Sequence, residues 1–135
     1  GAGAIEMEVM KELMKYATTL SGREQIAVQS FAEALECIPR TLAENAGLDP
    51  IDILAELKSA HQKNKPTTGI DVFSGKVIDA WKQGIIEPLK VKTQAISAAT
   101  EVAVMILRID DVIAGGGHRD TVPKPGMGHQ SEDMM

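Results

Sequence analysis

Apolar residues recur at helical spacing through most of this chain, and the pattern predicts a mainly α-helical protein. Ile5, Val9 and Leu13 repeat every four residues and place a first helix at about residues 4–20. Glutamates are frequent early in this helix and lysines later, as the helix dipole favours. We therefore expect one face of this helix to enter a hydrophobic core.

A second helical region is expected after Ser21, where Ser21 and Glu24 have the spacing of a capping box. Pro39 should kink this helix, and Gly47 is the expected stop. Its predicted apolar face consists of Ile26, Ala27, Phe31, Ala34, Leu35 and Ile38.

The next helix has a clear start signal. Asp49 is suited to the N-cap and Pro50 to the first helical position. The pattern fades near His61, which is close to Gln62, Lys63 and Lys65 and is predicted to be solvated.

Residues 69–92 interrupt the helical pattern. A short β-like run after Gly69 leads to a turn at Ser74-Gly75, so a hairpin-like segment is predicted near residues 68–75. Val77, Ile78 and Trp81 then follow at helical spacing and predict a helical turn.

Glu87-Pro88 should begin the last helix, which we place at residues 88–107. Pro88 fits the first helical position, so Glu87 would occupy the cap, where Ser, Thr, Asp or Asn is usual. A carboxylate at this position indicates either a polar ligand with hydroxyl groups or a poor cap on a surface. Lys92 would lie about 140° around the helix from Glu87, an angle that disfavours a pair between them.

The chain becomes apolar nearly all round between Ala95 and Ile106, which is typical of a helix at the centre of a bundle. Both a helix end and a strand, near 109–113, fit the residues that follow. From residue 115 onward the sequence is rich in Gly, Pro and Met without a period, and we expect a disordered tail.

Composition narrows the classes of function. Aromatic residues make up only 3% of the chain, and 19 acidic residues outnumber 14 basic ones. Neither a stacking surface nor a basic stripe for nucleic acid is therefore expected. No segment is suited to cross a membrane. The single cysteine, Cys37, fits a reducing cytoplasm and is predicted to be a buried, inert thiol.

Four stretches of the sequence carry a family resemblance: GAGAIEMEV at the start, GREQIAVQSFAEALECIPRTLAENAGLDPIDIL, GIDVFSGKVIDAWKQGIIEPLKVKTQAI, and ATEVAVMILRIDDVIA near the end. They resemble segments of group II chaperonins, the archaeal thermosome and its eukaryotic cytosolic relatives. The resemblance covers about residues 1–114 and implies the C-terminal portion of the ATP-binding equatorial domain, with residues 115–135 as a flexible Gly/Met-rich tail. The implied fold is half of that helical domain.

The resemblance also implies a nucleotide site. Ala2 and Gly3 correspond to a glycine motif whose backbone approaches the nucleotide; Ala2 replaces a glycine there, and its methyl group should require a negative φ. Asp71, Val72 and Phe73 would flank the adenine, and Glu87 would accept hydrogen bonds from the ribose. Lys92 would reach another edge of the nucleoside, although Val72 and Phe73 as core and Lys92 as a solvated residue also fit the sequence.

By the same resemblance, the parent protein would be a cytoplasmic ring that uses ATP and Mg²⁺ to fold other proteins. The family's Gly-Asp-Gly-Thr-Thr phosphate loop and its catalytic aspartates are absent from these 135 residues. We therefore expect this fragment to hydrolyse no ATP, to hold no nucleotide or metal tightly, and to self-associate. The alternatives are a helical structural or oligomerisation module, or an adaptor, that binds no nucleotide.

Overall fold

The computed structural model describes residues 1–109 and confirms the mainly helical architecture. The described elements are α1 (Ala4–Ala17), α2 (Gly22–Ala34), α3 (Cys37–Asn45), α4 (Pro50–Gln62), β1 (Thr68–Asp71), β2 (Lys76–Asp79) and α5 (Leu89–Leu107). The chain divides into two compact units, Gly1–Ala95 and the residues from Ile96 onward. Within the described residues, the second unit is the remainder of α5 and the two residues that follow it.

The core of the first unit is built from aliphatic side chains and methionines, as the scarcity of aromatic residues requires. Helices α1, α3 and α4 and strand β1 contribute most of it. Its buried members are Met7, Met10, Ala32, Leu35, Ala43, Ile53, Leu54, Leu57 and Ile70. Helix α1 therefore enters the core mainly through Met7 and Met10, whereas Ile5, the first residue of the predicted stripe, is 36% exposed.

Helix α2 is more exposed than its sequence predicts. Within it only Ala32 is buried, whereas Ile26 is 63% exposed. Ser21 stands at the N-cap as expected, but its side chain makes no capping hydrogen bond, so the predicted capping box does not form. The predicted kink before Pro39 is a break: α2 ends at Ala34 and α3 begins at Cys37.

The start of α4 agrees with the prediction in detail. Asp49 is the N-cap, its Oδ1 accepts a hydrogen bond from the Ile51 amide at 2.8 Å, and Pro50 opens the helix. The carboxylate thereby satisfies an amide that no helical carbonyl can reach.

The hairpin extends further than predicted. Strands β1 and β2 pair antiparallel, with Gly69 opposite Ile78 and Ile70 opposite Val77. Val77 and Ile78 therefore belong to a strand, and the expected helical turn there is wrong. So short an apolar run fits both the helical period and the strand period, and the pairing with β1 favours the strand.

Two single-residue predictions are also wrong. Cys37 is exposed. His61 is 1% exposed, and its ring lies between two oxygens: Nδ1 is 2.6 Å from Glu8 Oε2, and Nε2 is 2.8 Å from the carbonyl oxygen of Thr68. These contacts join α4 to α1 and β1 and explain why a histidine is buried here.

The predicted strand near 109–113 and the tail from residue 115 lie outside residues 1–109, apart from Ile109, which is in no strand. Within residues 1–109, no helix has both the length and the hydropathy needed to cross a membrane.

Candidate functional site

The residues that the sequence predicts for a site line one cleft in the first unit. Its volume is about 420 Å³, within the roughly 300–1,000 Å³ range of small-molecule sites. The predicted residues that line it are Ala2, Gly3, Asp71, Val72, Phe73, Glu87 and Lys92, and Ile38, Leu42, Ile70 and Ile85 complete the wall. Three stretches that are distant in the sequence thus meet at one place.

The first wall of the cleft is a tight turn before α1. Ala2 has φ 57° and Gly3 has φ 72°, so both residues are left-handed. The expected negative φ at Ala2 is wrong. A left-handed residue with a side chain costs about 1–2 kcal/mol, so the surrounding contacts must hold it in place.

Strand β1 supplies those contacts. The Ile70 amide donates a hydrogen bond to the Ala2 carbonyl oxygen at 2.9 Å. A Cβ atom on Gly69 would lie 2.7 Å from that same oxygen and 2.8 Å from the Ala2 Cβ. Only glycine at this strand position lets the turn dock on the hairpin.

The second wall is the tip of the hairpin, which Asp71 organises. Its Oδ1 accepts a bond from the Phe73 amide at 3.0 Å, and its Oδ2 accepts one from Ser74 Oγ at 2.6 Å. The Ser74 hydroxyl, followed by the Phe73 amide, holds the pKa of the Asp71 carboxyl below its usual value. Phe73 is 97% exposed, so it is not part of the core.

Glu87 and Lys92 form the third wall, and they are paired. Lys92 Nζ lies 2.8 Å from Glu87 Oε2, so the expectation that they do not pair is wrong. Glu87 lies before Leu89, the first residue of α5. The angle of about 140° expected between Glu87 and Lys92 assumes that both residues are in one helix, so it does not apply. The hydrogen bond from Lys92 is the main cause that lowers the pKa of Glu87.

The predicted capping role of Glu87 is also absent. The helix begins at Leu89, two residues after Glu87. The Val91 amide donates its hydrogen bond to the Pro88 carbonyl oxygen at 3.0 Å. In residues 1–109, no backbone amide of α5 bonds to the Glu87 side chain.

Sequence reasoning missed Glu6, which is part of the same cluster. Lys92 Nζ donates to Glu6 Oε1 at 2.7 Å, and the Glu6 side chain is only 2% exposed. Its position next to Met7, on the buried side of α1, was the available signal. An acidic residue near a helix start is also favoured by the helix dipole alone, so the pattern does not single Glu6 out.

The comparisons with known proteins agree with this architecture. Residues 1–116 match the TCP-1/cpn60 chaperonin family. Because the match covers most of the chain, the chain belongs to this family.

Thermosome subunits are among the similar relatives in this family. Thermosome subunit beta of Archaeoglobus fulgidus is 65% identical over 117 residues, which are 87% of this chain and 22% of that protein. A thermosome subunit of Methanocaldococcus jannaschii is 61% identical over 115 residues, 84% of this chain and 21% of the relative. The chain therefore spans about a fifth of the length of these relatives.

A solved structure has the same fold. The open-state monomer of a group II chaperonin from Methanococcoides burtonii matches with a TM-score of 0.79 and 59% identity, over 81% of this chain and 27% of that one. The chaperonin equatorial-domain fold that the sequence predicts is thereby confirmed.

Proposed function

We propose that residues 1–114 are the C-terminal portion of a chaperonin equatorial domain and supply the nucleoside side of its ATP site. The observation that carries the proposal is the convergence of all seven predicted residues on one cleft. In the parent protein, ATP binding and hydrolysis would drive a cytoplasmic ring that encloses unfolded protein, and this piece would also contribute ring contacts.

The chemistry of the cleft fits a nucleoside. Aliphatic side chains such as Ile38, Leu42 and Val72 offer the apolar surface that a planar base needs. Glu87 is 39% exposed, and its carboxylate oxygens accept hydrogen bonds only, which suits the two ribose hydroxyls.

The same residues do not fit the triphosphate or its magnesium ion. Lys92 is the one cation that lines the cleft in the described part of the chain, and two carboxylates already surround it. Residues 1–109 contain no group of three or more His, Cys, Asp or Glu that would hold a metal ion. These residues would bind and orient the nucleoside, and the phosphate chemistry would have to come from elsewhere in the parent.

A titration of the ¹⁵N-labelled 135-residue chain with adenosine and ADP tests the proposal. We expect shift changes at the amides of Gly3, Val72 and Phe73. Changes confined to other parts of the chain, or none at millimolar ligand, would contradict a nucleoside site and leave the structural-module alternative.

The role of Glu87 has its own test, a comparison of adenosine with 2′,3′-dideoxyadenosine. Hydrogen bonds to a charged acceptor are worth about 1.5–3 kcal/mol, so Glu87→Ala should weaken adenosine binding about tenfold to hundredfold. The dideoxy analogue has no hydroxyls and should be affected much less. Glu24→Ala, at an exposed position of α2, is the control. An equal loss for both ligands would rule out the ribose contact.

A further inference from the structure

The ammonium group of Lys92 lies between two carboxylates from different parts of the chain. Its Nζ is 2.7 Å from Glu6 Oε1 and 2.8 Å from Glu87 Oε2. Glu6 belongs to the first turn of α1, and Lys92 to the first turn of α5. The three charged groups therefore form a row that runs from the buried side of α1 to the edge of the cleft.

Because Glu6 is the buried member of this row of charges, it fixes the position of the Lys92 ammonium. A buried carboxylate is stable only with a compensating charge, and Lys92 supplies it. Burial acts to lower the pKa of Lys92, but the hydrogen bonds that its ammonium donates to Glu6 and Glu87 outweigh this and raise the pKa, so the ammonium stays charged. Glu6 Oε2 is buried without a hydrogen-bond partner in the described residues. Glu6 therefore depends on Lys92 and fixes where its ammonium lies.

We infer that Glu6 and Lys92 are positioning residues for the Glu87 carboxylate. Glu6 holds the Lys92 ammonium, Lys92 binds Glu87 Oε2, and Oε1 has no side-chain partner in residues 1–109 and is left to accept from a ligand. This inference rests on the proposed nucleoside site. It replaces the expectation that Lys92 itself contacts the nucleoside.

Without Glu6, the pair between Lys92 and Glu87 should weaken. Exposed ion pairs contribute only about 0–1 kcal/mol, because holding a long lysine side chain costs conformational entropy. Glu87 is half-exposed and would retain the ammonium poorly by itself. Removal of the Glu6 charge should therefore raise the pKa of Glu87 through the weakened Lys92 contact. The direct loss of a nearby negative charge acts to lower it whether or not Lys92 is present, and the N-terminal ammonium group, which also lowers the pKa of Glu87, is unchanged.

The pKa of Glu87, followed by carboxyl ¹³C NMR, tests the inference without any ligand. We expect an upward shift in Glu6→Gln and in Lys92→Met, and no rise when Glu6→Gln is added to Lys92→Met. Lys90→Met, in the same turn of α5 but exposed, is the control and should change nothing. An equal change of the Glu87 pKa on Glu6→Gln in the wild-type and Lys92→Met backgrounds would overturn the inference, because the direct loss of a negative charge acts in both and would then explain the whole effect.

The wild-type chain offers a test that does not depend on the folding of a variant. The Nζ protons of Lys92 should show NOE cross peaks to the methylene protons of both Glu6 and Glu87. Cross peaks to only one glutamate, or to neither, would contradict the placement of Lys92 between Glu6 and Glu87.

Adenosine affinity then separates a positioning role from direct contact. Lys92→Met should weaken adenosine binding when Glu87 is present and have no effect in a Glu87→Ala background. An equal loss in both backgrounds would mean that Lys92 contacts the ligand itself. If the wild-type chain binds no adenosine, the proposed function fails. The pKa of Glu87 still decides whether Glu6 and Lys92 position its carboxylate.

Discussion

Ala2 combines backbone strain with a position in the wall of the cleft. Its left-handed φ of 57° is held by the bond from the Ile70 amide, and the absence of a side chain at Gly69 makes room for it. Strain of this kind persists only where the surroundings fix the conformation, and it is frequent at ligand sites.

Replacing Ala2 with glycine should stabilise the chain by about 0–1.6 kcal/mol. Relief of the left-handed conformation gains about 1–2 kcal/mol, and the added freedom of glycine in the unfolded state offsets about 0.4–1 kcal/mol of it. Urea unfolding measures the change. Ala55→Gly, at an exposed position inside α4, should lower stability by about 1 kcal/mol. A loss of stability in Ala2→Gly would mean that the methyl group makes a necessary contact.

Between elements, the Glu8–His61 contact connects α1 to α4. Lys11 also binds the Glu8 carboxylate, and it donates a second bond to the His61 carbonyl oxygen at 3.3 Å. Burial acts to raise the pKa of Glu8, but the hydrogen bonds from His61 and Lys11 outweigh it and hold the pKa below its usual value.

This lowered pKa predicts a loss of stability in acid. Glu8 contributes stability above the pKa it has in the unfolded chain, and that contribution disappears as the pH falls through its lower pKa in the folded chain. The difference in unfolding free energy between wild type and Glu8→Gln should therefore be largest near pH 6 and shrink towards pH 3.

Glu12→Gln provides the comparison, since Glu12 pairs with Lys15 at an exposed site on the same helix. Its effect should be small throughout. A difference between wild type and Glu8→Gln that grows towards pH 3 would contradict the assignment.

Local signals in the sequence predict the elements that local interactions determine. The start of α4 is an example, because Asp49 and Pro50 act within one turn of helix. The assignment of β2 was wrong because its strand conformation depends on pairing with β1. His61 was misjudged for a related reason: its partner Glu8 is 53 residues away.

The site was predictable to a similar degree. The family resemblance predicted seven of the residues that line the cleft, but not their mutual contacts. The expected angle of about 140° between Glu87 and Lys92 assumes a helix that includes Glu87, whereas α5 begins at Leu89. Glu6 reaches the site only through Lys92, and no spacing rule connects residues that far apart.

At the scale of the whole molecule, much apolar surface is exposed within residues 1–109. Ile26 and Trp81 are 63% and 69% exposed in the first unit. The sequence of α5 between Ala95 and Ile106 is apolar nearly all round, and a single helix cannot bury its own circumference. Surface of this kind is worth about 25 cal/mol per Å² when buried.

We therefore expect the isolated chain to self-associate. In sedimentation equilibrium, the weight-average mass should rise with protein concentration, because exposed apolar patches of more than a few hundred Å² are rare in monomers. Ile106→Glu should reduce the association more than Glu24→Ala does. A compact monomer at millimolar concentration would contradict this expectation.

We also expect no ATP hydrolysis by the chain alone. Phosphoryl transfer needs charge stabilisation and a positioned water at the γ-phosphate. The Lys92 ammonium is already engaged by two carboxylates. Phosphate release above buffer that Glu87→Ala abolishes would refute this prediction.

The bond between Glu6 and Lys92 spans 86 residues of sequence, and the cleft cannot exist until both ends of the first unit have come together. Contacts of such long range are slow to form, because chain entropy must be lost before they do. A nucleoside that fits the cleft would bind the finished fold and neither a partly folded chain nor the unfolded state. In a refolding experiment its binding signal should grow with the slowest phase, as a reporter of the last step in folding.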